Sequence, residues 1–151
     1  MLTVHASGGA AMLRAAAAAA DGCRVLGVTI LTSLDADAVR AGWGRADAVS
    51  VESEVLRLAA LCADAGLHGV VCSGHEARLV RERFGDALRS LVPGIRFAEG
   101  ASHDQARVVT PGAAVAAGAR YVVLGRVVTA AADPVAALAR VQAELEAGTS
   151  P

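Results

Sequence analysis

The chain has 151 residues, 14 Lys+Arg against 15 Asp+Glu, and 54% hydrophobic residues. That length suits one domain with a sizeable core, and a net charge of −1 excludes the broad basic face of a nucleic-acid binder. Aromatics are 3% of the chain, so the core must come from Ala, Val and Leu, and a base-stacking platform is excluded. Cys23, Cys62 and Cys72 show no Cys-x-x-Cys spacing, which argues for reduced thiols rather than a disulfide framework or a zinc site. Met1–His5 is not a signal peptide, and no apolar stretch approaches the ~20 residues of a spanning helix. A cytoplasmic protein with no membrane partner is expected.

Short β-like runs alternate with Ala-rich helical ones. Leu2–His5 reads as a strand closed by Ser7-Gly8-Gly9, and Ala10–Ala20 as a helix ended by Asp21-Gly22. Ser7 is expected to cap that helix. Val25–Thr32 reads as a strand buried on both faces. Ser33–Val49 reads as a loop with room for one short helix. Val51, Val55, Leu58, Leu61 and Cys62 recur at helical spacing, with Gly66 as the stop. Gly69–Cys72 is the next strand, Glu76–Phe84 a helix, Leu91–Ile95 a strand and Ala98–Arg107 a polar loop. Pro111 opens a helix to Ala117, Tyr121–Leu124 is the fifth strand, and Pro134–Glu146 is the closing helix.

Five β-α repeats imply parallel strands with right-handed crossovers. A complete barrel of eight such units needs at least ~200 residues. Five strands therefore make an open sheet with two unpaired edges, or part of a barrel.

Ligands of parallel α/β folds bind on the loops after the strands. Gly125-Arg126 is the most informative pair there. The glycine lets a ligand approach the backbone, and the guanidinium fork matches two phosphate oxygens. Arg96 and Gln105, on the preceding loop, add donors. The competing reading makes Arg126 a surface arginine near a helix start. His5, His68, His75 and His103 form no metal-binding pattern, and His5 reads as a hydrogen-bonded structural residue. His103-Asp104 reads as loop polarity, because adjacent side chains point apart. Gly8-Gly9 fails the dinucleotide fingerprint. The sequence holds no Lys, so every basic residue apart from histidine is Arg.

Six ordered motifs resemble bacterial orotidine 5′-phosphate decarboxylase. They are Val4-His5-Ala6-Ser7-Gly8-Gly9, Gly27–Ser33, Leu67–Ser73, Leu91-Val92-Pro93-Gly94-Ile95-Arg96, Asp104-Gln105-Ala106-Arg107 and Leu124–Thr129. Their order and spacing cover essentially the whole chain. The resemblance implies part of a (β/α)8 TIM barrel, with five parallel strands matching barrel strands 4–8. Residues 1–151 would be a single C-terminal portion of that barrel. It also implies a homodimer that decarboxylates orotidine 5′-monophosphate to UMP in pyrimidine synthesis, without metal or organic cofactor. Thr32, Arg96, Gln105, Gly125 and Arg126 match the family's substrate-binding positions, with Gln105 and the Gly-Arg pair on the 5′-phosphate.

The family's catalytic Asp-x-Lys-x-x-Asp array sits on the third barrel strand. A ligand-binding aspartate and a lysine sit on the first and second. All would lie upstream of Met1, so the chain is expected to hold no catalytic residue and to be inactive alone. In the family a lysine ammonium stabilises the charge left on the pyrimidine and then delivers the proton. Preorganised electrostatics of this kind is usually the largest catalytic term. Phe97 stands where Pro often follows the Gly-Ile-Arg run. Two other readings stay open: a partner-dependent half-barrel that binds a phosphate ligand without turnover, and a hexulose-phosphate synthase-like sibling. The Pro93–Arg96 and Asp104-Gln105 runs favour the decarboxylase over the sibling.

Overall fold

The β-branched runs become strands and the Ala-rich runs between them helices in a computed structural model that describes residues 1–99 and 107–149. The order is β1 (Leu2–His5), α1 (Gly9–Ala18), β2 (Val25–Val28), α2 (Ala36–Gly42), α3 (Val51–Asp64), β3 (Gly69–Val71), α4 (Gly74–Phe84) and β4 (Arg89–Val92). After these come α5 (Pro111–Ala116), β5 (Ala119–Val122), α6 (Arg126–Thr129) and α7 (Pro134–Gly148). All five strands are parallel in one sheet, ordered β1-β2-β3-β4-β5. Each strand lies beside its predecessor, so right-handed crossovers carry every helix to the same face. An open doubly wound sheet reverses its order and covers both faces; this one does neither.

The pleat then sorts the strands into two faces. Val25, Val70 and Val92 enter the helix-side core with Val55, Leu58 and Val80. Gly27 faces the same way, because a Cβ on it would overlap the Cys62 Sγ of α3. Val28, Val71, Leu91 and Tyr121 form one cross-strand row on the other face, each half-buried. That face is concave. Arg24, just before β2, donates from Nη1 to the Tyr121 hydroxyl of β5 at 3.1 Å, across two intervening strands. Strands lie ~4.8 Å apart, so these side chains meet only if the sheet curls. The architecture is an arc of a (β/α)8 barrel, and among the described residues β1 and β5 each pair on one side only.

Tertiary pairing moves several expected boundaries. The apolar run Val25–Thr32 leaves the strand after Val28, where its partner β1 ends at His5. Thr29 lies just outside the strand, tied to the Val71 carbonyl through both its N–H (3.1 Å) and its hydroxyl (2.8 Å). The expected Leu91–Ile95 strand is instead Arg89–Val92. Pro93 has no N–H to extend the ladder, and register with β3 pairs Gly69 with Arg89. β5 shifts with it, to Ala119–Val122 rather than Tyr121–Leu124. The strand at Gly69 ends at Val71, α1 runs Gly9–Ala18 rather than Ala10–Ala20, and α7 reaches Gly148. Ser7 does not cap α1: it lies inside a 3-10 turn, Ala6–Gly8, and the cap position is Gly8. His5 is exposed and makes no side-chain hydrogen bond among the described residues, so its expected structural bond is absent. Among the described residues no helix is long and apolar enough to cross a membrane.

At the N-terminal end of the arc, the Tyr121 hydroxyl accepts from Arg24 and meets His68 Nε2 at 3.0 Å. The Tyr121 hydroxyl and the His68 ring thus share one hydrogen bond, whose direction the ring tautomer sets. Partial burial, then Arg24 and Arg89, hold the His68 pKa below its usual value. The depressed pKa means that the unfolded chain binds this proton more readily. The stability His68 confers is complete above the unfolded-state pKa of ~6.5 and is lost as pH falls through the lower folded value. Thermal melts from pH 8 down to pH 5 are expected to show a steeper acid loss of Tm for the native chain than for His68→Gln. Parallel curves for the two would contradict this account.

Candidate functional site

Parallel strands bring their C-terminal ends to one rim. Thr32, Arg96 and Arg126 each lie four positions past the last residue of β2, β4 and β5. Thr32 is buried, Arg96 is buried, and Gly125-Arg126 is exposed. Gly125 is the N-cap of α6, and its carbonyl accepts from Val128 and Thr129 at 2.9 and 3.0 Å. Arg126 is thus the first residue of a one-turn helix. Gln105, like His103-Asp104, falls outside the described residues.

Arg96 is the unusual group. It is 8% exposed, and its Nη1 donates to its neighbour's carbonyl, Ile95 O, at 2.7 Å. Its Nε is buried without a partner, and no carboxylate pairs with it among the described residues. Its backbone is tied to the residues before α5. Gly94 takes φ +74°, Ile95 bridges Val109, and the Arg96 N–H donates to Val109 O at 3.0 Å. Burying an uncompensated cation costs several kcal/mol by the order of magnitude of ion desolvation.

A second arginine secures the rim. Arg107 Nη1 pairs with Glu76 Oε1 at 2.5 Å, and its Nη2 donates to Leu31 O at 3.0 Å and Ile30 O at 3.3 Å. Glu76 is 3% exposed, and its other oxygen accepts from both the N–H (2.9 Å) and the hydroxyl of Ser73. Ser73 and Glu76 form a capping box at the start of α4. One guanidinium thus ties the loop after β2, the start of α4 and the loop before α5. It sits two residues from Gln105 and touches the residue before Thr32. Sequence reasoning passed over Ser73, Glu76 and Arg107 as functional supports. The Ser-x-x-Glu spacing signalled the cap, but nothing local signalled that Arg107 would reach it 31 residues later. Phe97 is held under the Arg140 guanidinium of α7, 3.8 Å from ring centroid to Cζ, and Arg140 also pairs with Glu99. The aromatic ring fastens the outgoing loop to α7, a role that a proline ring would not fill in this way.

Burial pushes the Cys62 thiol up to about 11 and the Cys72 thiol up to about 12, so neither is a nucleophile. The described residues contain no group of His, Cys, Asp and Glu able to hold a metal ion. What the rim can do is hold an anion with guanidinium donors.

Comparison with known proteins identifies the family. Residues 1–141 match the model of the orotidine 5'-phosphate decarboxylase / HUMPS family. An orotidine 5'-phosphate decarboxylase of Thermobifida fusca is 50% identical over 151 residues, covering 99% of this chain and 64% of the relative. One of Alkalilimnicola ehrlichii is also 50% identical, over 97% of this chain and 63% of the relative. The crystal structure of orotidine 5'-phosphate decarboxylase from Lactobacillus acidophilus superposes with a TM-score of 0.79 at 31% identity, covering 96% of this chain and 63% of that one. The chain thus spans a little under two thirds of the length of these relatives. With a family match over nearly its whole length, the chain belongs to the orotidine 5'-phosphate decarboxylase / HUMPS family.

Proposed function

We propose that this chain carries the nucleotide- and phosphate-holding part of an orotidine 5'-phosphate decarboxylase, which converts orotidine 5'-monophosphate to UMP and CO2. Residues 1–151 form one unit, the C-terminal five β/α units of the barrel. Arg96, Gln105, Gly125 and Arg126 hold the phosphate end of the nucleotide, and Thr32 contacts the ligand from the loop after β2. The observation that carries the reading is Arg96, a buried cation with no carboxylate partner among the described residues, on the rim where the family binds its ligand. The second element is chemical. Loss of CO2 leaves an electron pair on the pyrimidine carbon, and these 151 residues contain no lysine to protonate it. The chain therefore grips the nucleotide, and turnover needs the strand that bears Asp-x-Lys-x-x-Asp. The complete enzyme is a cytoplasmic homodimer that uses no cofactor.

Calorimetry of the chain with UMP tests the grip. Saturable binding is expected, weakened about 10- to 100-fold in Arg126→Ala, the loss of hydrogen bonds to a charged group. Absence of UMP binding overturns the proposal. Incubation of the chain with orotidine 5'-monophosphate tests the second element. No UMP should form; its formation by this chain alone would sink the claim that the lysine array is required.

A further inference from the structure

Three arginines converge on one cavity of about 360 Å³ at the N-terminal end of the sheet, opposite the rim. Arg81 comes from the last turn of α4, Arg89 opens β4, and Arg120 lies in β5. Two backbone features set them there. Ser90 pairs with Ala119 but Leu91 with Tyr121, so Arg120 is the extra residue of a β-bulge. A bulge re-aims the side chain it carries. Gly118 holds φ +97°, and a Cβ on it would lie 2.5 Å from Arg81 Cδ. The Arg81 stem therefore rests on bare backbone at the cavity wall.

The charges in this cavity do not balance. Asp86 is the one carboxylate lining it, 3.5 Å from Arg89 Nη1 and 97% exposed. Exposed pairs of this kind are weak. Neither Arg81 nor Arg120 has an ion-pair partner among the described residues. Arg24 and Arg89 add positive potential at the same end of the sheet, which lowers the His68 pKa. Guanidinium forks from a helix, a strand start and a bulge suit an oxyanion with several acceptor oxygens.

We infer that this cavity is a second anion site, one that takes a phosphate or diphosphate group. It is independent of the nucleotide rim, because it lies at the other end of the strands and shares no residue with it. The group belongs either to a free inorganic anion or to the phosphate chain of a nucleotide.

The test uses the whole chain carrying Arg96→Met with Arg126→Ala, so that the two rim guanidiniums do not answer in its place. Inorganic pyrophosphate is titrated in one arm and ATP in the other, at low and at physiological salt. Saturable binding that weakens with salt is expected. Stronger binding of pyrophosphate identifies a free anion, and stronger binding of ATP a nucleotide chain. Adding Arg81→Ala or Arg120→Ala should lower affinity about tenfold or more. Arg120→Lys keeps the charge but loses the fork, and should fall between the two. Both side chains are exposed, so the fold should survive these changes. Absence of saturable binding of either probe, or binding that survives Arg81→Ala with Arg120→Ala, overturns the inference.

Discussion

Replacing Arg107 with Met is expected to destabilise the chain by about 3–5 kcal/mol, the cost of stranding one partner of a buried ion pair. Glu76 is 3% exposed and would be left with only the Ser73 donors to satisfy it. The Ile30 and Leu31 carbonyls would lose their donor at the same time. Denaturant titration measures the loss. The double variant Glu76→Gln/Arg107→Met should recover part of it, because a glutamine still completes the capping box but strands no charge. A cost below ~1 kcal/mol, the range of exposed pairs, would show that the brace does not hold the rim together. If it does, the single variant should also weaken UMP binding, since Leu31 leads directly into Thr32.

Arg96→Met should move stability and binding in opposite directions. The arginine is buried and lacks a carboxylate partner among the described residues, so it carries a desolvated charge there. A methionine of similar length fills the space without it. The substitution should raise unliganded stability by about 1–3 kcal/mol, the gain seen when buried ionic groups are replaced by apolar ones. It should lower UMP affinity about 100-fold, the upper range for a hydrogen bond to a charged group. A merely structural arginine predicts the reverse on both measurements: lost stability and unchanged affinity. Sites tuned for function commonly sit off the stability optimum in this way.

The alternation of strands and helices was legible in the chain because it rests on local properties. Ala-rich runs favour helix, β-branched runs favour strand, and Gly66 and Gly118 stop helices where φ must turn positive. The rim positions of Arg96 and Arg126 were legible too, since both fall on the loops read after strands, whereas Thr32 closed the expected strand Val25–Thr32 and only the observed end at Val28 places it on a loop. Strand edges were not. Val25–Thr32 and Leu91–Ile95 look like uninterrupted apolar runs, and only the register with neighbouring strands decides where pairing stops.

By itself the sequence determined a parallel β/α chain, a rim bearing arginines, and chemistry without lysine. Tertiary structure alone decided how the charges around the rim are paired. It buried Arg96 with no carboxylate partner among the described residues, joined Arg107 to Glu76 across 31 residues, and brought Arg24 to Tyr121 across 97. The physical reason is range. Backbone propensity and helix capping act over a few residues and can be read in order. Desolvation and ion pairing depend on which distant segments the curled sheet brings into contact.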